Sequence, residues 1–135
     1  MTRTNVRKKT IYIAARFAFK SEVERIARLF EKRGYTLISD WTKHKTIKPY
    51  ENNPELAKQY AVEDIAAARN CDVFVLISDE AGTGMYVELG AAISSALEIG
   101  KPKIYVIGEH LSRAMFYYHH LVERRRMIEE VLKEI

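Results

Sequence analysis

The stretch Cys71-Asp-Val-Phe-Val-Leu-Ile-Ser78 decides the fold of this chain. Val73, Phe74, Val75, Leu76 and Ile77 follow one another without a polar residue. A strand with one wet face alternates apolar and polar side chains; this one does not, so the reading is a central strand of a parallel sheet, covered on both faces. Working outward, Asn53-Pro54 predicts an N-cap and a first helical position for a helix reaching about residue 69. Residues 85–99 predict a second helix, stopped by Gly100 with Pro102 beyond, and Lys103-Ile-Tyr-Val-Ile107 the next strand. Upstream, Thr10-Ile-Tyr-Ile-Ala-Ala15 is a short apolar strand. Ser21-Glu-Val-Glu24 has the form of a capping box, and Val23, Ile26, Ala27 and Phe30 recur at helical spacing before Gly34. Residues 35–39 predict a strand, 40–53 a loop, and 121–135 a charged amphipathic helix, with Glu123-Arg-Arg-Arg126 as its solvated face.

The order is then strand and helix in strict alternation. That predicts an α/β, doubly wound parallel sheet with helices on both faces, and right-handed crossovers favour a flavodoxin-like order with the first strand beside the third. Four strands are read directly. Ligands of such sheets sit beyond the carboxyl ends of the strands, at the switch point of the strand order.

The 135 residues suit one domain, and 47% hydrophobic content with 30% charged excludes intrinsic disorder. There are 22 Lys and Arg against 18 Asp and Glu, a net charge of +4. Arg3, Arg7, Lys8 and Lys9 account for the whole excess, so residues 1–9 are expected to be a flexible basic arm on a neutral body at 10–135. Nucleic-acid binding is therefore not expected. Cys71 is the sole cysteine, which excludes an internal disulfide and a multi-cysteine zinc cluster; it reads as a small buried hydrophobe. His44, His110, His119 and His120 lack ligand spacing, so no metal and no cofactor are expected. No apolar run approaches the roughly 20 residues of a membrane span, and no signal segment is visible, so a cytoplasmic protein is expected.

The switch-point rule singles out Tyr12 and Arg16, Ser78 and Asp79, and the segment Gly82-Thr-Gly-Met-Tyr-Val-Glu88. Gly82, Thr83 and Gly84 precede a helix, where bare backbone N–H groups favour an anion; the same glycines also serve a tight turn. Glu88 follows Gly84 by one helical turn and is set among small apolar residues, which is unusual for a solvated glutamate. Asp64 and Glu63 lie side by side on the preceding helix, and spacing does not choose between them. Arg16 ends the first strand on the face shared by Tyr12 and Ala14 and suits a carboxylate or phosphate, or bare solvent. Trp41 follows the second strand and either stacks on a base or packs under the loop.

In order, Ile11-Tyr-Ile-Ala-Ala-Arg-Phe17, Asp40-Trp-Thr42, Tyr60-Ala-Val-Glu-Asp64, Cys71-Asp-Val-Phe-Val-Leu-Ile77, Gly84-Met-Tyr-Val-Glu-Leu-Gly90 and Gly100-Lys-Pro-Lys-Ile-Tyr-Val-Ile107 resemble the nucleoside 2-deoxyribosyltransferase superfamily, which includes hydrolases of nucleoside 5′-monophosphates. The resemblance covers about residues 10–120. It implies a five-stranded sheet, with the fifth strand in 109–122. It implies Glu88 as nucleophile, Asp64 as the group that holds or protonates the substrate, and Tyr12 as the residue that orients the glutamate. Arg16 and the Gly82-Thr83-Gly84 turn then fall where a 5′-phosphate binds. The implied chemistry is cleavage or transfer of the N-glycosidic bond of a 2′-deoxynucleoside or its 5′-monophosphate through a glycosyl-glutamate. The implied partners are that small molecule and a second copy of the chain, in a homodimer or larger assembly. The alternative on the same fold is a nucleotide-binding or signalling module without catalysis.

Overall fold

The structure is a computed structural model and describes residues 7–135. Five parallel strands form one sheet: β1 (Thr10–Ala14), β2 (Thr36–Leu37), β3 (Val73–Ile77), β4 (Lys103–Ile107) and β5 (Val122–Arg125), in the order β2-β1-β3-β4-β5. The doubly wound, flavodoxin-like α/β reading is thus the observed one. β3 is buried at all five positions because β1 and β4 flank it and helices cover both its faces.

The alternation of side chains splits the interior into two cores. Ile11, Ile13, Val73 and Val75 point to one face, where α1 (Lys20–Glu31) contributes Val23, Ile26, Ala27 and Phe30, and α4 (Ile128–Leu132) contributes Ile128 and Val131. Tyr12, Ala14, Phe74 and Leu76 point to the other, against Ala67 and Ala68 of α2 (Pro54–Asn70) and Met85, Leu89 and Ala92 of α3 (Gly84–Ile99). Cys71 is buried in this second core, as expected of a small hydrophobe. Asp72 pins the start of the sheet: its Oδ2 accepts from the Thr10 N–H at 2.8 Å, and its own N–H donates to the Thr10 backbone oxygen at 3.0 Å.

Four local expectations are corrected. Residues 121–135 are not one helix; they hold β5, a turn and the short α4, and Glu123-Arg-Arg-Arg126 runs from the sheet edge into that turn rather than along a helix. An edge strand shows one side to water and carries charged side chains there, so its sequence imitates a helix face. The Ser21 capping box does not form. A 3-10 turn at Phe17–Phe19 runs straight into α1, the Lys20 N–H is already served by the Phe17 carbonyl, and Phe19 stands at the N-cap with no side-chain bond. Asn53 does not cap α2 with its side chain either; its Nδ2 donates back to the carbonyls of Ile47 and Pro49, while Pro54 takes the first helical position as expected. The second strand is also shorter than expected, at two residues.

Of the basic arm, Arg3 lies outside the described residues. Arg7 pairs with Asp72 at 2.7 Å, and the Lys9 carbonyl accepts from the Thr36 N–H at 2.9 Å, so both are tied to the strand starts. No helix among the described residues is long and apolar enough to cross a membrane.

Two glycines should respond oppositely to alanine. Gly108 follows β4 at φ +112°, and a Cβ there would stand 2.6 Å from Ser78 Oγ; Gly108→Ala is expected to cost about 2 kcal/mol or more. Gly90 lies inside α3 with open space around its missing Cβ, so Gly90→Ala is expected to stabilise by about 0.5–1 kcal/mol. Chemical denaturation of both variants measures this.

Candidate active site

The site begins with one buried hydroxyl. β1 turns Tyr12 into the core under α2 and α3, where it is fully buried with its ring centroid 6.0 Å from that of Phe74. A phenol in that position needs a polar partner. It donates to Glu88 Oε1 at 2.6 Å, one turn into α3. Burial and the neighbouring charges of Glu88 and Asp64 push the Tyr12 phenol far above its ordinary range, so it stays protonated and remains a donor.

Glu88 is part-buried, and burial lifts its carboxyl from 4.5 to about 7; the Tyr12 bond opposes the rise and the nearby Asp64 charge adds to it. Asp64 is part-buried on α2, and burial raises its carboxyl as well. The Ser39 hydroxyl donates to Asp64 Oδ1 at 2.7 Å and, with His44, draws the carboxyl back down. The His44 ring stacks on Tyr60 at 3.8 Å between centroids, one turn before Asp64. Glu63, the rival acid, is exposed and accepts from Gln59 Nε2 at 3.0 Å. The structure thus separates the two neighbours: Asp64 faces the Tyr12–Glu88 pair and Glu63 faces solvent.

A second group gathers at the ends of β1 and β3. Arg16 forms an ion pair with Asp79, which is almost wholly buried and also accepts from the Glu80 N–H at 2.7 Å. The Arg16 hydrogen bond holds the Asp79 carboxyl below the usual carboxylate range. Gly82 closes over this pair at φ +106°; a Cβ there would stand 3.1 Å from Arg16 Cγ and from Met85 Cε. Thr83 occupies the N-cap position of α3 without a side-chain bond, and Gly84 opens the helix with nothing near its missing Cβ. A cleft of about 300 Å³ adjoins this turn, lined by Glu80, Ala81, Gly82, Tyr86, Arg113, Ala114 and Phe116.

The remaining candidates are held by the framework. The Trp41 indole N–H donates to the Ile13 carbonyl at 2.6 Å and the ring packs between both cores, 6.2 Å from that of Phe17. Ser78 is buried, with its hydroxyl accepting from the His110 N–H at 3.2 Å. A larger groove of about 630 Å³ runs beside α1 and the loop after β2, but Tyr12, Asp64 and Glu88 do not line it. Among the described residues no cluster of three His, Cys, Asp or Glu could hold a metal ion. Sequence reading passed over Ser39, which lies two residues beyond β2, a strand outside the β1–β3 switch point.

The arrangement is two desolvated carboxyl groups close enough to influence each other, one oriented by a tyrosine and one by a serine, beside an arginine at a helix N-terminus. No protein-family model matches the chain, and no curated protein matches it in sequence. Solved structures share its fold, two of them as follows. The Clostridium botulinum CMP N-glycosidase BcmB is 18% identical, with a TM-score of 0.59 over 93% of this chain and 97% of that one. The solution structure of BlsM is 17% identical, with a TM-score of 0.62 over 94% and 85%.

The raised Glu88 carboxyl has a stability consequence with a definite sign. The folded chain holds this proton more tightly than the unfolded chain, so the contribution is full below about pH 4.5 and is lost as pH rises through about 7. Glu88→Gln keeps an acceptor for Tyr12 and does not titrate. It is expected to exceed the wild type in stability by up to about 3 kcal/mol at pH 8 and by almost nothing at pH 4. Unfolding curves at the two pH values measure the difference.

Proposed function

We propose that this protein cleaves the N-glycosidic bond of 2′-deoxynucleosides or nucleoside 5′-monophosphates, with Glu88 as the nucleophile. One observation carries the reading: the buried Tyr12 hydroxyl held at 2.6 Å on a desolvated glutamate that a second carboxyl, Asp64, faces. That pattern matches the needs of glycosidic cleavage, in which one carboxylate attacks the anomeric carbon and a second group delivers a proton to the departing base. The fold it shares with a CMP N-glycosidase supports the same class of bond.

In the proposed sequence Glu88 attacks C1′, the C1′–N bond breaks with its electron pair going to the base, and Asp64 supplies the proton. Water or a second base then attacks the glycosyl-glutamate; the first outcome is hydrolysis, the second transfer. Tyr12 orients Glu88 for attack and receives it again as a leaving carboxylate. Arg16 and the Gly82-Thr83-Gly84 turn meet the 5′ end of the sugar, a hydroxyl or a phosphate. Trp41 and Ser78 brace the ends of β1 and β3 around the crevice.

Two coupled carboxyls share their protons, so the reacting state is the one with a single proton between them. The rate is therefore expected to fall above about pH 7, where the last proton leaves, and to fall again in acid, where the second carboxyl fills. Tyr12→Phe removes the bond that lowers the Glu88 value, so the alkaline limb should move to higher pH.

The direct test incubates the chain with 2′-deoxynucleosides, ribonucleosides and both sets of 5′-monophosphates, and separates free base by chromatography. Glu88→Gln should lower base release by roughly 10⁴-fold or more. Acid-quenched wild type should carry a pentose adduct on Glu88 by mass spectrometry. A new nucleoside formed on adding a second base marks a transferase, and its absence a hydrolase. Base release that persists in Glu88→Gln, or no release from any substrate, defeats the reading.

A further inference from the structure

Ser39 is the one non-glycine residue with a positive φ among the described residues, at +49°. A serine in the left-handed region carries backbone strain that glycine or asparagine would avoid. The strain occurs between the end of β2 at Leu37 and the turn that begins at Trp41. The same residue places its hydroxyl 2.7 Å from Asp64 Oδ1, across 25 positions of sequence. These are independent observations, one of the backbone and one of the side chain, and they meet at a carboxyl of the candidate site.

We propose that Ser39 is a positioning residue for the reaction proposed above: its left-handed backbone aims a hydroxyl that occupies one oxygen of Asp64 and leaves the other to the substrate. The inference rests on the reading of Asp64 as the group that serves the departing base. A carboxyl on a helix turns freely about its last torsion unless something fixes it. Tyr12 fixes Glu88 in this way, and Ser39 does the same for Asp64. The titratable groups whose charge couples to that of Asp64 are Tyr12 from β1, Glu88 from α3, His44 from the loop after β2, and its solvent-facing neighbour Glu63 on α2. Of these, none donates a hydrogen bond to the Asp64 carboxyl in the described structure; Ser39 does. In the bond-breaking step the electron pair of C1′–N passes to the base, Glu88 forms the new bond to C1′, and the free Asp64 oxygen gives its proton to the base. Ser39 exchanges no proton and touches no reacting atom.

Three variants separate positioning from mere structural support. Ser39→Gly removes the hydroxyl and relieves the backbone; Ser39→Ala removes the hydroxyl and keeps the strain; Ser39→Thr keeps the hydroxyl and worsens the strain. With whichever nucleoside or monophosphate the wild type cleaves fastest, kcat should fall about tenfold to a hundredfold in both Gly and Ala variants with KM unchanged. Ser39→Thr should stay active despite a lower melting temperature. Loss of the donor should also let Asp64 hold its proton to higher pH, moving the acidic limb of the rate profile upward and the Asp64 carboxyl signal in a ¹³C NMR titration with it. A Gly variant with wild-type kcat, an unmoved acidic limb, or activity that tracks melting temperature across the three variants overturns the inference while leaving the proposed reaction intact. Should the Gly variant not fold, the Ala and Thr pair decides by the same readings. A wild type that releases no base overturns both.

Discussion

The register between β1 and β3 is the constraint from which the site follows. β1 lies between β2 and β3 with both faces covered, so its residues alternate strictly between two cores. Tyr12 stands opposite Phe74 and therefore under α3. A slip of one residue would send Tyr12 beneath α1 and leave Glu88 without its donor. Asp72 guards against the slip by binding the first residue of β1 at the head of the ladder, through Thr10 backbone and side chain alike. The precision of a 2.6 Å contact in the crevice thus depends on a carboxylate at the far end of the strands.

That division of labour also explains where the basic excess went. Arg7 and Lys101 both approach Asp72, at 2.7 and 3.8 Å, so cationic side chains gather at the strand starts. The candidate site is different in character: Asp64, Glu88, Asp79 and Glu80 surround it, and its arginine, Arg16, is already engaged by Asp79. A phosphate entering beside Arg16 would meet a guanidinium whose charge is largely answered from within. The exposed part of Arg16 keeps N–H groups to offer, which suits hydrogen bonding to a 5′ hydroxyl as well as to an anion.

What was legible in the sequence follows the same physics. β1, β3 and β4 are buried on both faces, and an unbroken apolar run announces that without any neighbour being known. β5 is legible only once β4 is in place, because Val122-Glu-Arg-Arg125 carries the charges of an edge and its pairing partner is supplied by the fold. Tyr12 and Glu88 could be singled out because strand ends and helix starts are fixed by element order. Asp64 could not be preferred to Glu63 on spacing, since adjacent residues of one helix differ only in which way the helix is rolled onto the sheet. Ser39 was invisible for a further reason: its part depends on a single backbone angle two residues beyond a two-residue strand, and no residue pattern encodes that.

The two carboxyls bear on the proposed chemistry through the proton they share. Desolvation opposes ionising either, and their mutual repulsion opposes ionising both, so near neutrality the pair carries one proton and one negative charge. An N-glycosidic bond breaks through a state with positive charge on the sugar. A singly ionised pair meets that charge with its own and still has a proton for the base, whereas a doubly ionised pair has the charge but no proton. In the proposed reaction, esterifying Glu88 would leave Asp64 as the anion, placed to take a proton from whatever attacks. On that proposal the same two residues would serve both half-reactions, whether water or a second base attacks. That choice falls to whatever occupies the place the base has left, which must hold a second base longer than water for transfer to win.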